Sequence, residues 1–144
     1  MAGGYASSDS NVIDFVTMAS TGNASNFGDL TQTGHGVSMC INDSTRGVFA
    51  GRTSAPTFRN TIDYITIAST GDAQDFGDLN QDEVYSSGMC SPTRGVFAGG
   101  SDPTVSNVID YITIQTLGNA LDFGDITTTG RAQAGGCSNG HGGL

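Results

Sequence analysis

The sequence predicts an all-β fold, and three observations carry that prediction. Of 144 residues 22 are Gly, 13 of the 14 acidic residues are Asp, and Lys is absent. Long helices draw instead on Ala, Leu, Glu and Lys. No stretch sustains a 3.6-residue apolar period. Short runs of β-branched and aromatic residues alternate instead with clusters of Gly, Asn, Asp, Ser and Pro. Finally, the chain repeats itself. Residues 11–30 read NVIDFVTMASTGNASNFGDL, residues 60–79 read NTIDYITIASTGDAQDFGDL, and residues 107–126 read NVIDYITIQTLGNALDFGDI. The second and third copies share 13 of these 20 positions, far beyond chance.

Each repeat divides into four strands. The first ends near a cysteine (GVSMC, 36–40), and Cys40, Cys90 and Cys137 keep that register in the three copies. The second is GVFAG, ending at Gly51 in one copy and at Gly99 and Gly100 in another. Paired glycines suit an inner strand, where neighbouring backbones crowd and a Cβ would clash. The third strand, IDYITIA at 62–68, carries an acid that recurs as Asp14, Asp63 and Asp110. The fourth lies around DFGDL, 75–79. Four strands every 47 to 49 residues match a propeller blade, whose period runs about 40 to 50 residues. A solenoid would use a shorter period, and a sandwich would need no repeat.

The expected architecture is therefore a β-propeller of four-stranded blades, three per chain. The whole of 1–144 forms a single repeat domain, with copies at about 1–47, 48–96 and 97–144. MAGG at 1–4 aligns with FAGG at 97–100, and HGGL at 141–144 aligns with RGVF at 94–97, so the circular cut falls inside a strand. Propellers close with about 4 to 8 blades, and three would leave two open edges. Completion to six blades by a head-to-tail homodimer is the expectation, with a nine-bladed homotrimer as its variant. A longer natural array, or a larger assembly with other blades, is the alternative.

Composition narrows the function. A net charge of −9 with five Arg argues against nucleic acid as a partner. No apolar run approaches the roughly 18 residues of a membrane span, and residues 1–10 show no secretory signal.

An apolar strand ending in Gly-Gly, a variable loop and a strand carrying Tyr together resemble kelch repeats. The usual Trp is absent; the downstream aromatic is Phe27, Phe76 or Phe123, and Arg52 replaces the second glycine of one pair. The wording RGVFAGG, NVIDYITI and GNALDFGD is also similar to tandem repeats in proteins of marine bacteriophages. That resemblance implies a virion or host-interaction role, reached after cytoplasmic synthesis, in the virion or outside the cell.

Candidate sites follow from the repeat pattern. The segments 6–10, 53–59 and 101–106 vary while their flanks repeat, which nominates Phe58, Arg59 and Asp102 as ligand-binding residues on loops. Asp29, Asp78 and Asp125 recur at one position and are weak calcium candidates; capping of turns is the plainer reading. Calcium is the single cofactor left open. Asp14, Asp63 and Asp110 read as structural, lining a channel or bonding a neighbouring blade, with Arg46 and Arg94 as ion-pair partners. Without a CxxC pair, the cysteines read as free, buried thiols rather than zinc ligands. DFG at 75–77 and 122–124 lacks every other kinase element and reads as a turn. His35 and His141 occupy unlike places and support no nucleophilic triad, so no catalytic residue is assigned.

Three functions remain. The leading one is a non-enzymatic propeller scaffold binding a cell-surface protein or glycan. The others are a purely structural assembly module and a glycan-active enzyme, which would need a carboxylate pair, or an acid with Tyr and His, converging at the axis; strand residues such as Asp63 and Tyr64 keep it open.

Overall fold

The computed structural model describes residues 1–37, 39–127 and 129–138. Among these the chain is all-β, with three antiparallel sheets of three or four strands in chain order, each containing one of the three repeated Ile-Asp segments. The first contains β1 (Ala2–Tyr5), β2 (Asp9–Phe15) and β3 (Ser25–Gly34) in the order β1-β2-β3. The second contains β4 (Met39–Asn42), β5 (Arg46–Ser54), β6 (Thr57–Thr66) and β7 (Gln74–Asp78), also in sequence order. In the third, β8 (Ser87–Cys90) and β9 (Arg94–Ala98) precede a two-stranded hairpin, β10 (Ser101–Asp102) and β11 (Thr104–Val105). Then β12 (Val108–Thr113) and β13 (Leu121–Asp125) complete the order β13-β12-β9-β8.

Local chemistry explains the meander. The turn joining β4 to β5 is closed by Asp43, whose Oδ1 accepts the backbone N–H groups of Thr45 and Arg46, both at 2.7 Å. Ser91 does the same work before β9, accepting from the N–H of Arg94 at 3.1 Å. Short polar side chains that bond their own backbone favour such turns. The register slips beside each repeated Ile-Asp pair, at Ile13/Asp14, Ile62/Asp63 and Ile109/Asp110. Each bulge faces a glycine with positive φ, such as Gly77 at 144°, a conformation that costs a side-chain-bearing residue more.

Successive sheets pack on one another. Phe76 of the second sheet lies in one core cluster with Ile112, Ile114 and Ala120 of the third, and Phe27 of the first lies with Ala73 of the second. Because β6 is covered on both faces, Ile62, Asp63 and Tyr64 are all buried in a row. The sheets are also stitched by backbone. The N–H groups of Gly71 and Ala73 donate to the carbonyls of Phe27 and Asp29 at 2.7 and 2.8 Å. Those of Gly118 and Ala120 donate to Phe76 and Asp78 at 2.9 and 2.8 Å.

The expectation of buried cysteines needs correction, whereas Gly51, Gly99 and Gly100 lie in or just beyond β5 and β9, interior strands of their sheets. What crowds them is a neighbouring backbone or side chain: a Cβ on Gly51 would collide with the Glu83 carbonyl and one on Gly100 with Ser86 Oγ. The cysteines are free, but Cys40 and Cys137 are exposed and Cys90 is half-buried. In β4, Met39 and Ile41 face the core, so strand alternation turns Cys40 outward. Cys137 lies in residues 129–138, which contain no strand. That segment rests on the third sheet instead, through bonds from Gly100 N–H to the Arg131 carbonyl (2.9 Å) and from Gln133 N–H to the Tyr85 carbonyl (2.8 Å).

Candidate functional site

The link between second and third strands occupies the same topological place in every repeat, and these three links differ in sequence. In the first sheet Tyr5 pairs with Asp9 across a short loop. In the second, the ladder runs on through Arg52↔Arg59, Thr53↔Phe58 and Ser54↔Thr57. In the third, the separate β10–β11 hairpin pairs Asp102 with Thr104. The connectors between sheets reach the second and third links: the backbones of His35 and Thr53 exchange two 2.9 Å hydrogen bonds, and Val84 bridges to Ser101.

The segment 53–59 was expected to be a loop and is a hairpin. Its exposed tip is Ala55, Pro56 and Thr57, while Phe58 and Arg59 are half-buried on the ascending strand. Pairing of their backbones with Thr53 and Arg52 holds them there, so the exposed surface of this link is the tip.

Three polar clusters lie beneath the links. In the first, His35 Nδ1 sits 2.6 Å from Asp9 Oδ1, and Tyr5 packs edge-on against the His35 ring at 5.5 Å. Hydrogen bonds from Ser54 and His35 hold the Asp9 carboxyl below its usual range. In the second, Arg52 Nη2 and Asp63 Oδ2 form a 2.6 Å ion pair in which both side chains are fully buried. Thr31 completes it, its hydroxyl donating to Asp63 Oδ1 at 2.6 Å and its N–H to Oδ2 at 3.1 Å, while Arg52 Nη1 reaches the Gln32 carbonyl at 2.9 Å. In the third, Gln81 Nε2 donates to buried Glu83 at 2.5 Å and to Ser106 Oγ at 2.7 Å. Burial pushes the Glu83 carboxyl up against the opposing pull of Ser106, Gln81 and Ser86.

Beside the third cluster a cleft of about 350 Å³ is lined by Tyr85, Ser86, Ser87 and Gln133, among others. Tyr85 (φ 61°) and Gln133 (φ 56°) both adopt the left-handed conformation there, as does Gly36 (φ 71°) in the corresponding linker of the first repeat.

The repeated acids separate by role. Asp63 and Asp110 each accept two bonds from the preceding repeat; Asn80 donates to Asp110 through its N–H (3.0 Å) and its amide (2.6 Å). Asp14 is only half-buried. Arg46 and Arg94 do not pair with these acids: each stacks over a tyrosine, Tyr64 and Tyr111, at 4.6 Å. Asp29, Asp78 and Asp125 lie one repeat apart rather than together. The N–H of Asp29 is bonded to Asp72 Oδ1 at 3.0 Å and that of Asp78 to Asn119 Oδ1 at 3.1 Å. Among the described residues no three His, Cys, Asp or Glu side chains converge to hold a metal ion. His141 lies outside the described residues.

Sequence reasoning missed the Asp9–His35 pair and the Glu83 cluster, since neither recurs in the other copies. Arg52 did leave a signal, as the residue that breaks a glycine pair. No family model and no curated protein matches the chain.

Proposed function

We propose that this chain is a non-enzymatic β-propeller scaffold that acts without a cofactor and binds a cell-surface protein or glycan through its strand-linking hairpins. In this reading each sheet is a blade, three to a chain, completed to six by a second copy, and the assembly serves a phage virion or a host-recognition step. The observation that carries the reading is the contrast between framework and links. The sheets repeat their residues, registers and turn chemistry, whereas the three links differ in length, tip and polar cluster. A rigid framework carrying unlike loops is the usual construction of a binding surface.

The test presents the purified chain to a glycan array and to a panel of bacterial cells, and repeats it with residues 55–57 replaced by Gly-Ser-Gly. Binding that disappears with the tip, without turnover, is expected. No binding together with incorporation into virus particles would establish the purely structural role instead. An enzymatic reading is favoured by one observation, the convergence of Asp9, His35 and Tyr5. Glycan turnover abolished by His35→Ala would replace the scaffold reading with it.

A further inference from the structure

The contacts that join one repeat to the next define a surface pattern, and both halves of that pattern stand open at the two ends of the row. At each internal junction a phenylalanine of one sheet is covered by the next. Phe27 is 7% exposed and Phe76 is 3% exposed, but Phe123, their counterpart in the third sheet, is 53% exposed. The residues that cover Phe76 are Ile112, Ile114 and Ala120. Their counterparts in the first repeat are Val16, Met18 and Ala24, all exposed; at the other internal junction Ile65 and Ala73, the counterparts of Ile112 and Ala120, pack with Phe27, while Ile67, the counterpart of Ile114 and Met18, is 44% exposed.

The polar groups follow the same rule. At internal junctions Gly71 and Gly118 donate to the carbonyls of Phe27 and Phe76, and Thr31 and Asn80 donate to Asp63 and Asp110. The corresponding acceptors at the far end are the carbonyls of Phe123 and Asp125, and the corresponding donors at the near end are the N–H groups of Gly22 and Ala24. Asp14, the counterpart of Asp63 and Asp110, accepts no side-chain hydrogen bond among the described residues, and Thr127, the counterpart of Thr31 and Asn80, is exposed. Steric fit agrees. A Cβ on Gly28 or Gly77 would strike the next sheet at Gly71 or Gly118, whereas a Cβ on Gly124 meets nothing. The third sheet has the glycine that close approach requires and, among the described residues, no neighbour in contact with it.

We infer that the Phe123 face of one chain docks on the Val16–Ala24 face of a second copy, in the register of the internal junctions: Phe123 packs against Val16 and Ala24, Gly22 N–H bonds to the Phe123 carbonyl, and Thr127 donates to Asp14. The occupant is a second copy because the docking rule is written twice within this chain, and each face is the complement of the other rather than of itself. Such a contact is head-to-tail. The inference rests on the propeller reading above and specifies its junction.

Native mass spectrometry and sedimentation of the full chain test it, with circular dichroism to verify folding. The unmodified chain is expected as an oligomer of 14.7 kDa units. Gly124→Ala, which adds one methyl where the second copy should press, and Asp14→Ala should each weaken association at least ten-fold while the monomer stays folded. Ser44→Asp, at an exposed position of the turn between β4 and β5 of the middle sheet, should leave association unchanged. A folded monomer at 100 µM would refute both the junction and the ring. An oligomer indifferent to Gly124→Ala and Asp14→Ala would refute this junction and leave the ring reading standing.

Discussion

Replacing Asp63 with Ala strips the fully buried Arg52 of its counter-ion, and the cost can be worked from the contacts. Arg52 would keep one bond, from Nη1 to the Gln32 carbonyl, and its Nε already has no partner among the described residues. Thr31 would lose both its acceptors at once. Leaving one member of a buried pair uncompensated costs about 3–5 kcal/mol, a large share of the roughly 5–15 kcal/mol that holds a domain together. At about 2–4 °C per kcal/mol for a chain near this size, the melting midpoint should fall by roughly 6–20 °C. Arg52→Met, which keeps the stem volume and removes the charge, should cost less. Asp63 would then stand as Asp110 does, buried and held by two bonds from the preceding repeat. The double variant Asp63→Ala/Arg52→Met should be more stable than Asp63→Ala alone, because the charge that Asp63 neutralises is gone. Urea denaturation of the four proteins closes the cycle. Simple additivity, with the double variant the least stable, would refute the argument that an orphaned guanidinium dominates the cost.

Other expectations are narrower. Burial works to raise the Asp43 carboxyl, yet the N–H groups of Arg46 and Thr45 and the Gln115 amide lower it to about 2. Its contribution is therefore present above the unfolded value of 3.8 and lost as pH falls through about 2, so Asp43→Ala should flatten the acid limb of a urea-midpoint profile between those limits. Glu83 behaves oppositely, being raised from 4.5 by burial. Its proton is held more tightly when folded, so stability declines as pH rises from 4.5 through the folded value. Glu83→Gln should abolish that decline while retaining bonds to Gln81 and Ser86, and a steeper decline would contradict it. Gly77→Ala places a Cβ 2.5 Å from the Gly118 backbone, whereas Gly71→Ala, at a similar positive φ, meets nothing. The first should be the less stable by about 1–3 kcal/mol in thermal unfolding; equal losses would show that φ strain alone matters.

Repetition made the framework legible. The all-β class, the antiparallel strand order and the recurring acids could be read because a signal written three times outweighs the ambiguity of any short apolar run; the expected four strands per repeat appear in two sheets, while the first has three and Cys137 lies in no strand. The links were legible only as places of variation. Nothing in TSAPTFR announces that its ends pair as Thr53↔Phe58 and Ser54↔Thr57, since an extended hairpin and an open loop draw on the same turn residues. Cysteine burial was misjudged for a related reason. Small apolar residues are usually interior, but on a short edge strand the outcome depends on which of two alternating faces each takes, and Met39 and Ile41 had the stronger claim. The Asp9–His35 pair was out of reach because its members lie 26 residues apart and neither repeats.

One repeat position shows how context, rather than residue type, sets the role of an acid. Asp63 and Asp110 share the sequence Ile-Asp-Tyr-Ile-Thr, the same bulge and the same relation to the preceding repeat. One nevertheless carries a buried arginine and the other does not, because the residue after the strand's glycine is Arg52 in one copy and Gly100 in the other. A glycine there lets Ser86 approach; an arginine fills the space and needs a carboxylate within reach. Asp63 was already placed by its bonds to Thr31, so the arginine could be accommodated without rebuilding the sheet. Buried charge is tolerated where a preorganised acceptor precedes it. Asp14 completes the series as the copy with neither arginine nor neighbour. Its half-exposure follows from the absence, among the described residues, of a preceding sheet in contact with it, since its bulge and its Ile-Asp pair match those of the other two.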